Sequence, residues 1–170
     1  MNTIEVLAAI NETLEDFIQI FAEFDEDEVN EIPYEDSWTP GQVVQHNILS
    51  LSWFIDLLTG PEMETTRQPD EHVANIKAVF LNFDIKLQSP DFIIPPAIDY
   101  NKQEQLDELE AFKNKLNEII PNVDMSKTCT AFNLPTLGYL TCTEIVHFIL
   151  YHTTRHVYQL KKILASINSH

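Results

Sequence analysis

The chain has 170 residues, 44% of them hydrophobic, which is the size of one compact domain and enough to bury a core. Its formal net charge of -17 disfavours nucleic acid and anionic membranes as partners, because an acidic surface repels phosphate. No apolar run approaches the ~20 residues of a membrane span, and the start of the chain does not resemble a secretory signal. Cys129 and Cys142 form neither a disulfide framework nor a C-x-x-C pair, which fits a reducing compartment. We therefore expect a single domain over residues 1–170 in the cytoplasm.

The first two predicted helices are marked by hydrophobic spacing and by capping residues. Apolar side chains recur three or four residues apart over residues 4–21, a period typical of an amphipathic helix. Thr39 and Gln42 are spaced as a capping box, and Pro40 stands between them at the first helical position. A second helix should therefore begin near Pro40 and end just before Gly60, which a proline follows.

The middle of the chain is more irregular. Residues 73–80 carry one moderately periodic apolar stretch, which predicts a short third helix. Several prolines surround it, and residues 89–96 are expected to be extended. Asn101 and Glu104 are spaced as another capping box, so a fourth helix should begin there and continue until Pro121.

The last predicted helix is the longest. Thr141 and Glu144 are spaced as a third capping box, the apolar stripe continues to about residue 167, and Lys161 and Lys162 lie near the end, where positive charge is favoured. No stretch shows strand alternation of useful length. The sequence therefore predicts an all-α fold, an antiparallel four-helix bundle with an additional short helix and a long irregular connection.

Three histidines fall on inward faces of these helices. His152 and His156 are four residues apart within the apolar stripe of the last helix, so their imidazoles share one face. His46 lies on the inward face of the second helix. A buried histidine needs a partner for each ring nitrogen, and an unmet one costs about 1 to 3 kcal/mol. A shared metal ion would satisfy all three, although each could also be an ordinary core histidine bonded to a carbonyl, hydroxyl or water.

The other histidines have less support. His147 lies about 140° around the helix from His152 and is read as a flank or surface residue. His72 and the terminal His170 have no supporting context. The H-E-x-x-H signature of zinc proteases is absent, because residues 153–155 are Thr, Thr and Arg, and no glutamate therefore stands ready as a general base on that helix.

Two segments resemble motifs of one family. WTPGQVVQH (residues 38–46) resembles the W-[ST]-x-x-[EQ]-x-x-x-H segment of the DinB-like (DinB/YfiT-like) metalloprotein superfamily. HTTRHVYQL (residues 152–160) resembles its closing pattern, H-x-x-x-H-x-x-Q-[IL]. The resemblance implies a four-helix bundle in which His46, His152 and His156 bind a divalent metal, with zinc or nickel expected ahead of iron or manganese.

The resemblance also implies an activity. Family members are often metal-dependent transferases that join a low-molecular-weight thiol to an electrophile, or hydrolases, with the metal activating thiol or water. The expected partners are a small-molecule substrate and a thiol cosubstrate, with a homodimer left open. Trp53, Ser50 and Tyr158 are the predicted pocket residues. Tyr158 stands where some thiol-using relatives carry an acid, so no catalytic residue is assigned. The alternative is a non-enzymatic metal-binding or metal-stabilised bundle of the stress-response type.

Overall fold

The fold consists mainly of five α-helices. The structure is a computed structural model that describes residues 1–169, and His170 lies outside the described residues. The helices are, in chain order, α1 (Thr3–Ala22), α2 (Pro40–Thr59), α3 (Val73–Phe80), α4 (Lys102–Ile119) and α5 (Cys142–Asn168). Two short strands, β1 (Glu62–Met63) and β2 (Thr128–Cys129), pair antiparallel. Single 3-10 turns occur at Glu28–Asn30, Asp91–Ile93 and Ile120–Asn122.

The four long helices form a bundle. Each packs against two others in the cyclic order α1, α5, α2, α4, and α3 packs against α5 from outside. The predicted all-α four-helix bundle with one additional short helix is therefore confirmed. No helix within residues 1–169 combines the length and apolarity that crossing a membrane requires.

Local signals set most of the helix boundaries. The side chains of Thr39 and Thr141 each accept a hydrogen bond from the third helical N–H. In return, the side chains of Gln42 and Glu144 accept from the backbone N–H groups of Thr39 and Thr141, so both capping boxes form as the sequence predicts. Asn101 accepts from the N–H of Glu104, but the reciprocal half of that predicted capping box does not form among the described hydrogen bonds. The segment predicted to be extended, residues 89–96, contains the 3-10 turn at its centre, so that prediction was wrong there.

The hydrophobic core consists of two clusters, and the site lies where they meet. One cluster contains Leu51 and Phe54 of α2 and the buried apolar residues of α5 up to Tyr151. The other contains Val44 of α2 and the buried apolar residues of α5 from Val157 onward. His152 and His156 occupy the interval of α5 between the two clusters, which places imidazoles inside an otherwise apolar interior.

A buried ion pair anchors the start of α5. The Glu144 side chain is fully buried, and its two carboxylate oxygens accept hydrogen bonds from the two Nη atoms of Arg67, each at 2.7 Å. The backbone N–H groups of His72 and Thr141 donate to the same carboxylate. This network ties the connection before α3 to the N-terminus of the helix that carries two of the three histidines.

Replacing Glu144 with glutamine should destabilise the fold by about 3 kcal/mol near pH 7, because the mutation leaves Arg67 without its buried partner. Burial pushes the pKa of Glu144 upward, but the hydrogen bonds from Arg67, Thr141 and His72 outweigh it, and the pKa lies below its ordinary value of 4.5. A lowered pKa contributes stability that is present above the unfolded-state pKa and is lost as pH falls through the folded-state pKa.

Urea unfolding measured at about pH 7 and about pH 3 checks this expectation. The difference between the wild type and Glu144→Gln should shrink toward the acidic condition. Glu108→Gln, at an exposed position of α4, is the matched control and should leave stability within about 0.5 kcal/mol. An equal loss for Glu144→Gln at both pH values would contradict the account.

Candidate metal centre

Three histidine side chains converge in the interior of the bundle. α2 supplies His46, and one face of α5 supplies His152 and His156. The Nε2 atom of His152 lies 3.1 Å from Nε2 of His46 and 3.2 Å from Nε2 of His156. All three residues are buried, and among the described residues they form the group of side chains whose ligand atoms lie within 4.8 Å of one another.

Hydrogen bonds at the far side of two rings fix their orientation. Nδ1–H of His46 donates to the backbone oxygen of Ile93 at 2.8 Å. Nδ1–H of His156 donates to Oε1 of Gln159 at 2.7 Å. A proton held on Nδ1 leaves the Nε2 lone pair free, which is the arrangement of a metal-binding imidazole with its outer partner in place.

Aromatic packing holds the third ring. The imidazole of His152 has its ring centre 5.8 Å from that of Phe54, 5.9 Å from that of Phe80 and 6.3 Å from that of Phe148. These three rings come from α2, α3 and α5, so the short helix α3 contributes directly to the wall around the site. Close packing restricts rotation of the His152 ring and keeps Nε2 directed at the other two histidines.

The environment keeps all three imidazoles uncharged. Burial lowers the pKa of His46 and holds the pKa of His152 well below its ordinary range. Burial, with smaller contributions from His46 and Arg155, lowers the pKa of His156 to about 3. Neutral imidazole is the form that binds a metal ion, so the site is ready for binding near neutral pH without first releasing protons.

The donor set fits a divalent ion. Ligand nitrogens at 2.0–2.1 Å from a tetrahedral zinc ion are about 3.3 Å apart, close to the 3.1 and 3.2 Å that separate Nε2 of His152 from those of His46 and His156. His46 and His156 both hold their protons on Nδ1, so both of their Nε2 atoms are hydrogen-bond acceptors. A proton on Nε2 of His152 can be donated to only one of them, which leaves the other without a donor. A metal ion bound by all three nitrogens would satisfy every Nε2 lone pair.

The three histidines open onto a cavity of about 1040 Å³. This volume is at the upper end of the range of small-molecule sites, which is about 300–1,000 Å³. The walls are mainly apolar and aromatic, and the side chains that supply them include Trp38, Trp53, Phe54, Phe80, Phe83, Ile93, Leu134, Leu137, Phe148 and Tyr158.

One wall of the cavity is the connection after α3, which is fastened to α5. The Arg155 guanidinium donates to the backbone oxygens of Phe80, Asn82 and Ile85. One turn further along α5, the ring of Tyr158 stacks on Phe83 with ring centres 4.2 Å apart and planes at 4°. Arg155 therefore has a structural role beside the histidines, which the sequence analysis did not identify.

The predicted pocket residues all line the cavity. Trp53 is half-buried, and the ring of Tyr158 stacks on Phe83 at the cavity wall. The Ser50 hydroxyl donates a hydrogen bond to the backbone oxygen of His46. His147 lies outside the histidine group as expected, but it is buried rather than on the surface, with Nδ1–H bonded to the backbone oxygen of Thr143.

Sequence reasoning missed the two outer partners of the histidines. Gln159 follows His156 by three residues, a spacing that places both side chains on one helix face and that could have suggested the contact. Ile93 acts through its backbone oxygen, which no side-chain pattern reveals.

Replacing Gln159 with leucine should weaken zinc binding about 10- to 100-fold, the usual cost of removing an outer partner of a metal-binding histidine. The leucine keeps the volume but cannot accept the Nδ1 proton of His156. Competition titration with a chromophoric chelator measures the affinity. Gln103→Leu, at an exposed glutamine of α4, is the matched control, and equal affinities in the two variants would remove the role assigned to Gln159.

Comparisons with known proteins agree with this fold. The sequence profile described as the DinB superfamily matches residues 9–160. The crystal structure of TT2238, described as a four-helix bundle protein, aligns with a TM-score of 0.56 at 17% identity, covering 95% of this chain and 99% of that chain. No significant match was found among curated proteins.

Proposed function

The chain belongs to the DinB superfamily, and from that premise we propose that it is a metal-dependent enzyme acting on a small molecule. His46, His152 and His156 would hold a divalent ion, with zinc or nickel preferred. The reaction proposed is transfer of a low-molecular-weight thiol to an electrophile, or hydrolysis when water takes the place of the thiol.

The observation that carries the proposal is the placement of three convergent Nε2 atoms at the wall of a large cavity. A purely structural metal site is usually closed by four protein ligands, whereas a catalytic site keeps a position for water or substrate. The group here contains three nitrogen ligands and no carboxylate or thiol among the described residues. Such a donor set is typical of a site that exchanges ligands.

A divalent ion bound by these histidines would supply Lewis acidity, lowering the pKa of a thiol or water so that the nucleophile exists at neutral pH. The protein supplies position and exclusion of water. Trp53, Phe54 and Phe80 face the cavity and favour a substrate with an apolar body. The Arg155 charge lies close enough to lower the pKa of His152 and His156 further, which helps to keep both imidazoles neutral and able to bind the ion.

The size of the cavity suits a reaction of two molecules. A volume of about 1040 Å³ exceeds what one compact electrophile needs, and a thiol cosubstrate can occupy the remainder. In such a transfer the thiol sulfur forms a bond to the electrophilic carbon, the leaving group departs with its electron pair, and the thiol proton passes to solvent.

A non-enzymatic, metal-stabilised bundle is the second candidate. The observation that favours it is the absence of a carboxylate from the histidine group in the described part of the chain, together with Tyr158 at a position where some relatives carry an acid. In this candidate the three histidines bind a metal ion that stabilises the bundle, and the protein catalyses no reaction.

Turnover of monochlorobimane with a panel of low-molecular-weight thiols separates the two candidates. We expect the zinc- or nickel-loaded protein to accelerate formation of the thioether with at least one thiol, with His152→Ala inactive and His147→Ala active. Rates equal to the protein-free background with every thiol, in a fully loaded protein, would favour the metal-stabilised bundle over the transferase.

A further inference from the structure

A pair of free thiols lies apart from the histidine centre. Cys129 ends β2 and Cys142 begins α5, and their Sγ atoms are 3.2 Å apart. Both residues are free and buried, with 2% and 0% of their surface exposed. Cys142 lies ten residues before His152, which separates the two by about 15 Å along the axis of α5.

Backbone pairing brings the two thiols together. The N–H of Cys129 donates to the oxygen of Leu140, and the N–H of Cys142 donates to the oxygen of Lys127, each at 2.9 Å. Thr128 and Thr141 form a bridge between these two bonds. Cys129 and Cys142 each follow a member of the bridged pair, so they are diagonal neighbours on the same face of this short antiparallel pairing.

A hydrogen bond joins the two thiols. The hydrogen bond from one thiol to the other lowers the pKa of Cys129 and raises the pKa of Cys142. The first proton of the pair is therefore lost more readily than the second, and a thiolate is the species that reacts with oxidants. Cys142 is the first residue of α5, so the positive end of the helix dipole lies beside the pair and favours a negative charge on it.

The surroundings allow a small oxidant to reach the pair through local opening. Each strand of the adjoining sheet is only two residues long, and Glu62, the partner of Cys129 in β1, is exposed. The Glu144 network holds the start of α5, so access to the pair depends on opening of β1 and β2. Short strand pairings open at low free-energy cost compared with the core.

We propose that Cys129 and Cys142 form a reversible oxidation site, which a peroxide converts to an intramolecular disulfide. A disulfide bond is about 2.0 Å long, so the sulfur atoms need to approach by about 1 Å from their present separation. The oxidation requires neither the metal nor the proposed transferase activity.

The chemistry balances with hydrogen peroxide as the oxidant. The thiolate of the pair attacks one peroxide oxygen, the O–O bond breaks, and hydroxide leaves and takes up a proton to become water. The second thiol then attacks the sulfenic sulfur, the S–S bond forms, and a second water leaves with the remaining proton. Two thiols lose two electrons in total, and the peroxide gains them.

The disulfide would close the segment between β2 and α5. This segment carries Leu134 and Leu137, which line the cavity, and a hairpin-like pairing joins Leu134 to Gly138. Oxidation would therefore fasten one wall of the cavity to the start of α5, at a distance from the histidines.

Treatment of the native, zinc-loaded protein with hydrogen peroxide, followed by thiol counting and peptide mass mapping, tests the proposal. We expect both thiols to disappear together, the mass to fall by that of two hydrogen atoms, and the peptides containing Cys129 and Cys142 to be linked. Dithiothreitol should restore both thiols. Cys129→Ser and Cys142→Ser should each form no intramolecular link.

The wild-type measurement is decisive even where a variant folds poorly. Retention of both thiols under conditions that fully oxidise free glutathione would overturn the proposal. Conversion to sulfinic acid, or a disulfide between two chains in place of the internal one, would overturn it as well.

Discussion

His152→Ala is expected to lower the affinity for zinc by about a thousandfold or more, because it removes a direct ligand. His152 stands between the other two histidines, with its Nε2 atom 3.1 and 3.2 Å from theirs. The two that remain, on different helices, form an incomplete donor set. Equilibrium dialysis against buffered zinc, with elemental analysis of the retained metal, measures the loss.

His147→Ala is the matched control for this experiment. His147 is a buried histidine of the same helix, bonded to the backbone of its own preceding turn and outside the group of three. Its replacement should leave zinc bound at one equivalent per chain. Equal zinc binding by His152→Ala and the wild type would show that the metal, if bound, lies elsewhere.

Removal of the metal is expected to lower the thermal stability of the protein substantially. A ligand that binds only the folded state at a free concentration 1,000 times its dissociation constant stabilises that state by about 4.1 kcal/mol. For a chain of this size, each kcal/mol shifts Tm by about 2–4 °C, so chelation should lower Tm by about 8–16 °C. The physical reason is that the free protein retains three buried imidazoles with too few protons to satisfy their Nε2 atoms.

Circular dichroism melts of the zinc-loaded and chelated protein measure this shift. In His152→Ala the same chelator should change Tm by no more than about 2 °C, because the variant has little bound metal to lose. Identical melting curves for loaded and chelated wild-type protein would contradict a structural contribution from the metal.

The helices could be predicted because their signals are local. Capping residues such as Thr39 and Thr141 and the terminator Gly60 act within a few residues of the boundary they set, and hydrophobic periodicity reports which face is buried. The 3-10 turn at Asp91–Ile93 escaped prediction, since the prolines around it are equally compatible with an extended chain.

The histidine group was partly predictable. The spacing of His152 and His156 places them on one face from sequence alone, whereas the approach of His46 depends on how α2 packs against α5. The hydrogen bond from His46 to Ile93 and the anchoring of the cavity wall by Arg155 join segments far apart in the chain. Such contacts follow from tertiary packing and leave no periodic trace.

The thiol pair shows the same limit. Cys129 and Cys142 are thirteen residues apart and match no cysteine motif, so the sequence did not predict a contact between them. Their contact depends on the bridge between Thr128 and Thr141, which involves too few residues to produce strand alternation.

X-ray absorption spectroscopy at the zinc K edge of the loaded protein tests the central claim most directly, because it reports the atoms bound to the metal. The three-histidine site predicts a first shell of nitrogen and oxygen at about 2.0–2.1 Å, with the outer-shell scattering of three imidazole rings. A sulfur atom at about 2.3 Å would contradict the claim, because it would place the metal at the thiol pair of Cys129 and Cys142 in place of His46, His152 and His156.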